Sequence, residues 1–392
     1  MNHDNDTPAP LDVEGAVRAR YSEGAAQRVD ALCCPVDYDP RYLKILPQEV
    51  LDRDYGCGDP SRYVREGETV LDLGSGGGKI CFIAQQIVGP AGKVIGVDMN
   101  PDMLDLARRS APLVAEKVGY ANVEFRRGRI QDLQLGADAV DAYLAEHPVR
   151  TADDLAKLQA WEKNVRRSEP MIADNSVDVV VSNCVLNLVD DAAKPQLIRE
   201  IFRVLKVGGR IAISDIISDE VAPPELRNDP ELWSGCISGA FQELELVKLL
   251  EEAGFYGICW DKWDATPWQV VNGIEFRSAT VTAYKGKEGP CFEGNHAVIY
   301  RGPWRQVQDD DGHVFRRGER AAVCAKTFNI MTGGPYREHM IPVEPLVAIP
   351  AAEMKGFDCA RTLPRHPRET KGLDYDVTTE AAACCAPGDA CC

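Results

Sequence analysis

Thr69-Val70-Leu71-Asp72-Leu73-Gly74-Ser75-Gly76-Gly77-Gly78-Lys79 reads as a short apolar strand that runs directly into a glycine loop. The stretch that follows, Lys79–Val88, has the apolar content of a helix opened by that loop, and Lys93–Val97 is a second apolar strand ending at Asp98. Glycines at 74, 76, 77 and 78 let the backbone approach a ligand that a Cβ would hold away. An acid just past the second strand of such a unit is placed to accept hydrogen bonds from both hydroxyls of a ribose. A dinucleotide-binding fingerprint would ask for a glycine at position 79, where Lys79 stands.

The same alternation continues outward. Pro101–Val118 carries Met103, Leu104, Leu106 and Ala107 at helical spacing, with a proline at its start. Val123–Phe125 is a third strand, and Val177–Val181 is a fourth, rich in β-branched residues and suited to burial on both faces. Gln196–Leu205 is a helix stopped by Gly208-Gly209, and Arg210–Ser214 is a fifth strand, with Asp215 at its end. Strands alternating with helices predict an α/β fold, a doubly wound parallel sheet with helices on both faces. The polar stretch from about 132 to 175 reads as a helix-rich insertion after the third strand. Four segments follow: an N-terminal arm over 1–50, a nucleotide-binding domain over 51–272, a small sheet-rich C-terminal domain over 273–362, and a disordered Cys-rich tail over 363–392.

Composition narrows the function classes. The 392 residues are 45% apolar and 27% charged, ordinary for a globular chain. A net charge of −17 argues against general affinity for nucleic acid or an anionic membrane surface. The first fourteen residues are polar and acidic, unlike a secretory leader, and no run approaches a membrane span. These features predict a cytoplasmic protein. Fourteen cysteines are therefore informative, because a reducing compartment disfavours a static disulfide framework. Metal or metalloid binding, redox chemistry and packing remain. Packing suits Cys81 and Cys259, which sit in apolar surroundings.

The loop form Asp-x-Gly-x-Gly-x-Gly, with Asp98 after the next strand, resembles the class I S-adenosylmethionine-dependent methyltransferases. The resemblance implies a Rossmann-like donor site. Asp72 opens the loop; Gly74, Ser75 and Gly76 face the amino-acid portion and ribose of S-adenosylmethionine. Asp98 holds the ribose hydroxyls, Met99 packs on the adenine, and Ile130 and Gln131 flank it. Tyr55 and Asn183 lie near the methionine end. Three cysteine contexts make the resemblance narrower: Tyr55-Gly56-Cys57-Gly58, Ser182-Asn183-Cys184-Val185-Leu186-Asn187-Leu188 and Trp233-Ser234-Gly235-Cys236. Together with Val94-Ile95-Gly96-Val97-Asp98-Met99 and Arg203-Val204-Leu205-Lys206-Val207-Gly208-Gly209, they are similar to the arsenite S-adenosylmethionine methyltransferases, from about residue 12 to about 345.

That resemblance implies an enzyme of arsenic detoxification. Thiolates of Cys57, Cys184 and Cys236 hold trivalent arsenic, a soft centre, by the softness argument used for metals. The products are mono- and dimethylated arsenicals, with a trimethylated product as a further candidate. Methylation formally oxidises arsenic, so enzyme thiols must return two electrons. The resemblance gives that task to a thiol of the arm, Cys33 or Cys34, paired with Cys57. Thioredoxin or glutathione then reduces the disulfide. Partners are arsenite, methylated trivalent arsenicals and the reductant, with no nucleic acid and no membrane. The alternative enzyme reading is a class I methyltransferase acting on a small organic substrate, with the cysteines as packing. The terminal Cys384, Cys385, Cys391 and Cys392 keep several readings: arsenite capture, loose metal binding or no part in turnover.

Overall fold

The computed structural model of the protein describes residues 12–26, 36–53, 55–360, 364–372 and 375. Cys33, Cys34 and the four terminal cysteines lie outside the described residues. The chain divides into two units, residues 1–286 and 287–392.

The first unit is built on strands β1 (Thr69–Leu73), β2 (Lys93–Asp98), β3 (Val123–Arg127), β4 (Val177–Asn183), β5 (Leu205–Ser218), β6 (Phe241–Gln242), β7 (Tyr256–Trp263), β8 (Gln269–Val271) and β9 (Ile274–Tyr284). Its helices are α1 (Val13–Ala26), α2 (Pro40–Leu43), α3 (Gln48–Asp52), α4 (Lys79–Val88), α5 (Pro101–Val118), α6 (Ala137–Glu146), α7 (Ala152–Ser168), α8 (Lys194–Val204), α9 (Pro224–Arg227), α10 (Pro230–Ser234) and α11 (Glu243–Ala253). The sheet order is β3-β2-β1-β4-β5-β9-β7, with β6 on β5 and β8 on β9. Strands β1 to β5 pair in parallel, whereas β9 runs antiparallel to both β5 and β7. Successive side chains alternate across the sheet. Leu71, Leu73, Val180, Ile211 and Ile213 pack with Leu197 and Ile201 of α8 and Leu246 and Leu250 of α11. Val70, Val94, Val179 and Val181 pack on the opposite face with Ile80, Phe82 and Ile83 of α4 and Leu106 of α5. This is the Rossmann-like sheet with helices on both faces that the sequence predicts.

Three expectations need correction. Strand β9 was assigned to a C-terminal domain beginning at 273, but it sits inside the main sheet, so the first unit runs to Gly286. Its eleven residues are buried over nearly their whole length, which only an interior position between two strands can provide. The tail was expected to lose order from 363. Instead Arg365 is buried and ion-paired with Glu293 and Glu369, just before helix Pro367–Lys371. Cys81 is buried in the core as expected, but Cys259 is exposed, because β7 is the sheet's edge and turns one face outward.

The insertion folds as a helical hairpin. Thr151 caps α7 in a reciprocal capping box with Asp154, and Tyr143 of α6 stacks on Trp161 of α7 with ring centroids 4.3 Å apart. Neither helix buries a side chain fully. The base of the hairpin is closed by backbone bonds from Met171 N to Gln134 O (2.9 Å) and from Ile172 N to Leu133 O (2.8 Å).

The second unit adds β10 (Phe292–Glu293), β11 (Ala297–Tyr300), β12 (Gln306–Gln308), β13 (Val314–Arg316), β14 (Arg320–Ala322), β15 (Met340–Val343) and β16 (Lys355–Gly356), with α12 (Ala325–Thr332) and α13 (Pro367–Lys371). Three small antiparallel sheets, β14-β11-β15, β12-β13 and β10-β16, accompany a core of Val298, Tyr300, Phe315, Val323, Phe328, Met331 and Met340. Among the described residues of the chain, no helix is long and apolar enough to cross a membrane.

Candidate active site

Strand order reverses at the β1/β4 pair, and in open α/β sheets a ligand crevice forms at such a switch, outside the carboxyl ends of the strands. One cavity lies there. Tyr55, Asp72, Gly74, Ser75, Gly76, Asp98, Met99, Ile130, Gln131 and Asn183 all line it, as does Cys184. Gly74 and Gly76 have φ of +69° and +51°, and a Cβ on Gly74 would overlap Val185. Asp98 accepts from Gly76 N and Asn100 N, each at 2.8 Å. Burial pushes its pKa up, and those N–H bonds restrain the rise. The Ser75 hydroxyl is buried without a hydrogen-bond partner among protein atoms. A glycine cradle, a half-buried carboxyl and an orphaned hydroxyl around one cavity fit S-adenosylmethionine.

Helix α1 supplies a wall that sequence reasoning did not assign to the site. Glu14, Val17, Arg18 and Tyr21 line the cavity. Glu14 pairs with Arg129 at 2.9 Å, Ser22 accepts from Asn100 Nδ2 at 3.2 Å, and Arg20 donates to Glu231 O at 2.8 Å. Tyr55 donates to Gly24 O (3.0 Å) and meets Tyr21 edge-on. The helix thus bridges the donor cavity and α10, the element leading into Cys236. The sequence shows a short helical pattern around Val13–Tyr21; what that helix packs on it does not show.

The three cysteines singled out in the sequence converge in one apolar cluster with Ile216, Ile237 and Phe276. Each reaches it by a different device. Asn183, the last residue of β4, accepts from Cys57 N (3.0 Å) and Gly58 N (3.1 Å), and donates to Gly58 O (2.8 Å) and Tyr38 Oη (3.0 Å). Asn183, which lines the cavity, thus also clasps the Cys57 loop. The flanking glycines have a packing reason: a Cβ on Gly56 would overlap Asn183, and one on Gly58 would overlap Ser214. Cys184 and Cys236 hold φ of +56° and +63°, a region costly for residues other than glycine and most often kept at functional sites. The Cys236 thiol donates to Cys184 O at 3.3 Å.

Cys57 and Cys184 are joined by a disulfide, with Cα atoms 5.9 Å apart, while Cys236 remains a thiol. The expected partner of Cys57 was Cys33 or Cys34; the oxidised pair here lies within the trio itself. This oxidised form keeps one of the three as a thiol, so binding of arsenic by all three would require its reduction.

Asp215 is a second residue that sequence reading missed, taken there for a plain strand end. One of its carboxyl oxygens lies within 4.8 Å of both Cys57 and Cys184 sulfurs. It accepts from Leu186 N (3.0 Å), Ile216 N (2.8 Å) and Asn187 Nδ2 (2.9 Å). Burial raises its pKa to about 7 against the pull of these N–H groups. Tyr21, half-buried on the cavity wall, has its phenol pushed well up, first by burial and then by the negative charges of Cys236 and Asp215. No local sequence signal marks Asp215; the β4/β5 register, which pairs Ser214 with Asn183, is what brings it to the cysteines.

Known proteins match this arrangement. Residues 65–169 and 162–254 match a family model described as a methyltransferase domain, and residues 287–375 one described as a domain of unknown function (DUF8838). The chain is 33% identical over 323 residues to an arsenite methyltransferase of Aquipseudomonas alcaligenes, covering 78% of this chain and 83% of that one. It is 30% identical over 312 residues to the Homo sapiens arsenite methyltransferase, covering 76% and 73%. The crystal structure of an arsenic(III) S-adenosylmethionine methyltransferase from Chlamydomonas reinhardtii is similar with a TM-score of 0.52 at 26% identity, over 83% of this chain and 100% of that one. With the sheet order, the glycine cradle and the converging cysteines in place, these similarities establish that the chain belongs to the arsenite methyltransferase family.

Proposed function

We propose that the protein transfers methyl groups from S-adenosylmethionine to trivalent arsenic held by the thiolates of Cys57, Cys184 and Cys236. The observation that carries this reading is the meeting of three cysteines from distant segments beside the cavity lined by the glycine loop and Asp98. Arsenite capture exchanges three As–O bonds for As–S bonds; each thiol proton leaves in water, and arsenic stays trivalent. When bound, S-adenosylmethionine supplies an electrophilic sulfonium methyl that the arsenic lone pair can take without loss of a proton. The site therefore needs no general base for methyl transfer. Its contribution is positioning: Asn183 and the strained backbones at Cys184 and Cys236 fix the sulfurs before arsenic arrives.

Methylation leaves arsenic formally pentavalent, and two thiols that join as a disulfide return two electrons to it. Cys57 with Cys184 is one such pair. Cys57 with Cys33 or Cys34 is another, and thioredoxin or glutathione would reopen either by exchange. Closing the Cys57–Cys184 bond removes two of the three arsenic ligands, which couples reduction to product release. Mono- and dimethylated arsenicals follow from one and two rounds. A reducing cytoplasm suits thiols that must be reset each turn.

The test is turnover of arsenite by reduced protein with S-adenosylmethionine and thioredoxin or glutathione, with arsenic species separated by chromatography. Methylated arsenic from the native chain and none from Cys184→Ser or Cys236→Ser is expected. No methylated arsenic from folded, donor-binding protein would contradict the reading. Product formation that survives both substitutions would move the cysteines to packing.

A further inference from the structure

Cys291, Cys324 and Cys359 come together in the second unit, from segments far apart in sequence, with all three sulfurs within 4.8 Å of one another and all three free. Several contacts build this cluster. Cys291 precedes β10, and its carbonyl accepts from Phe357 N at 2.9 Å, which ties it to the β16 segment leading to Cys359. Cys324 caps α12, and its sulfur accepts from Thr327 N at 3.3 Å. The next residue but one, Lys326, donates to Lys287 O and Gly289 O, each at 2.7 Å, and so holds the start of α12 against the loop before Cys291. Buried Arg365 clamps Glu293 with two bonds, fixing β10 from its other side.

From this geometry we infer a second thiophilic site, formed by Cys291, Cys324 and Cys359, that binds trivalent arsenic as a three-thiolate complex. Three sulfurs suit a trigonal centre with a lone pair. A structural zinc site takes four protein ligands, and among the described residues no fourth His, Cys, Asp or Glu joins this group. Binding converts three thiols and As(OH)3 into three As–S bonds and three waters, with no change of oxidation state. The choice of arsenic among soft ions rests on the function proposed above. The existence of a three-thiol site does not.

The experiment is thiol footprinting of the full reduced chain. N-ethylmaleimide labels it over a range of arsenite concentrations, and each cysteine peptide is quantified by mass spectrometry. Cys291 and Cys359 are half-buried and open to the reagent, so they report on this site, while Cys184, on the cavity wall, and the buried Cys236 are labelled for long enough to react fully without arsenite and then report separately on the proposed active site. Arsenite should shield Cys291 and Cys359 together. In Cys359→Ser, shielding of Cys291 should need about tenfold more arsenite or greater, a loss of one bond from the complex. The reciprocal variant, Cys291→Ser read at Cys359, keeps the test open if the first does not fold. No shielding of Cys291 and Cys359 at arsenite levels that shield Cys184 and Cys236 would overturn the inference. So would shielding by zinc but not by arsenite, or an unchanged arsenite requirement in both variants. Shielding at Cys291 and Cys359 without any at Cys184 and Cys236 would support this site and count against the proposed active site.

Discussion

Asn183 commits both ends of its amide to the loop that carries Cys57. Removing it leaves the Cys57 and Gly58 N–H groups buried without an acceptor, each at a cost of about 1–3 kcal/mol. Asn183→Ala should therefore lower arsenite turnover about tenfold or more while changing donor affinity much less. Steady-state kinetics beside calorimetric titration with S-adenosylmethionine separates the two, and equal losses in both would return Asn183 to the donor site. Asp215 gives a pH signature. Its folded pKa of about 7 stands above its ordinary value of 3.8, so folding favours the protonated form. That contribution to stability is complete below about pH 4 and is lost as pH rises through about 7, on the order of 4 kcal/mol over the window. In the oxidised protein, Asp215→Asn should lose less stability between pH 5 and pH 8 than the native chain does, as read by urea unfolding. Equal losses would mean that Asp215 is ionised throughout. Cys57, Cys184 and Cys236 could be picked out in the sequence because their glycine and asparagine neighbours are unusual. Asp215 could not: nothing local separates a buried strand-end acid from a solvated one, and only the β4/β5 register shows which it is.

Elements that pack on themselves were easier to read than elements that pack on something distant. Strands β1, β2, β4 and β5 carry their burial in their own apolar runs, and α5 carries its start in Asn100-Pro101 and its stop in Gly119. Strand β9 has an equally apolar run, but its place between β5 and β7 requires the chain to return across the sheet, a long-range choice that no local pattern encodes. Helix α1 has the same problem in reverse: its residues meet α5, α10 and the cavity, all remote in sequence. The α6–α7 hairpin makes a different prediction. Because neither helix buries a side chain fully, replacing 137–168 by a short Gly/Ser turn should leave donor binding intact. The thermal midpoint should move by only a few degrees, corresponding to about 1 kcal/mol. A large drop, measured by differential scanning fluorimetry, would show that the hairpin supports the β3 edge.

At the scale of the whole molecule, every residue proposed for methyl transfer, apart from Cys33 and Cys34, which lie outside the described residues, belongs to the unit that ends at Gly286, and the second thiol cluster belongs to the other. A chain truncated after Gly286 should therefore still bind S-adenosylmethionine and methylate arsenite, as read by chromatography of arsenic species. Loss of methylation with donor binding retained would assign part of the reaction to the second unit. The division itself was visible in outline, as a rise of short strands after the main alternation. The boundary was misplaced because β9 looks like the strands that follow it. The central claim is that Cys57, Cys184 and Cys236 hold one arsenic atom beside the donor cavity. Its most direct test is a crystal structure of the reduced protein with arsenite and S-adenosylhomocysteine, phased for arsenic by anomalous scattering. An anomalous peak in the first unit, within bonding distance of all three sulfurs and facing the cavity lined by Gly74 and Asp98, is expected. A first unit with the donor product bound, the three thiols reduced and no arsenic peak among them would contradict it.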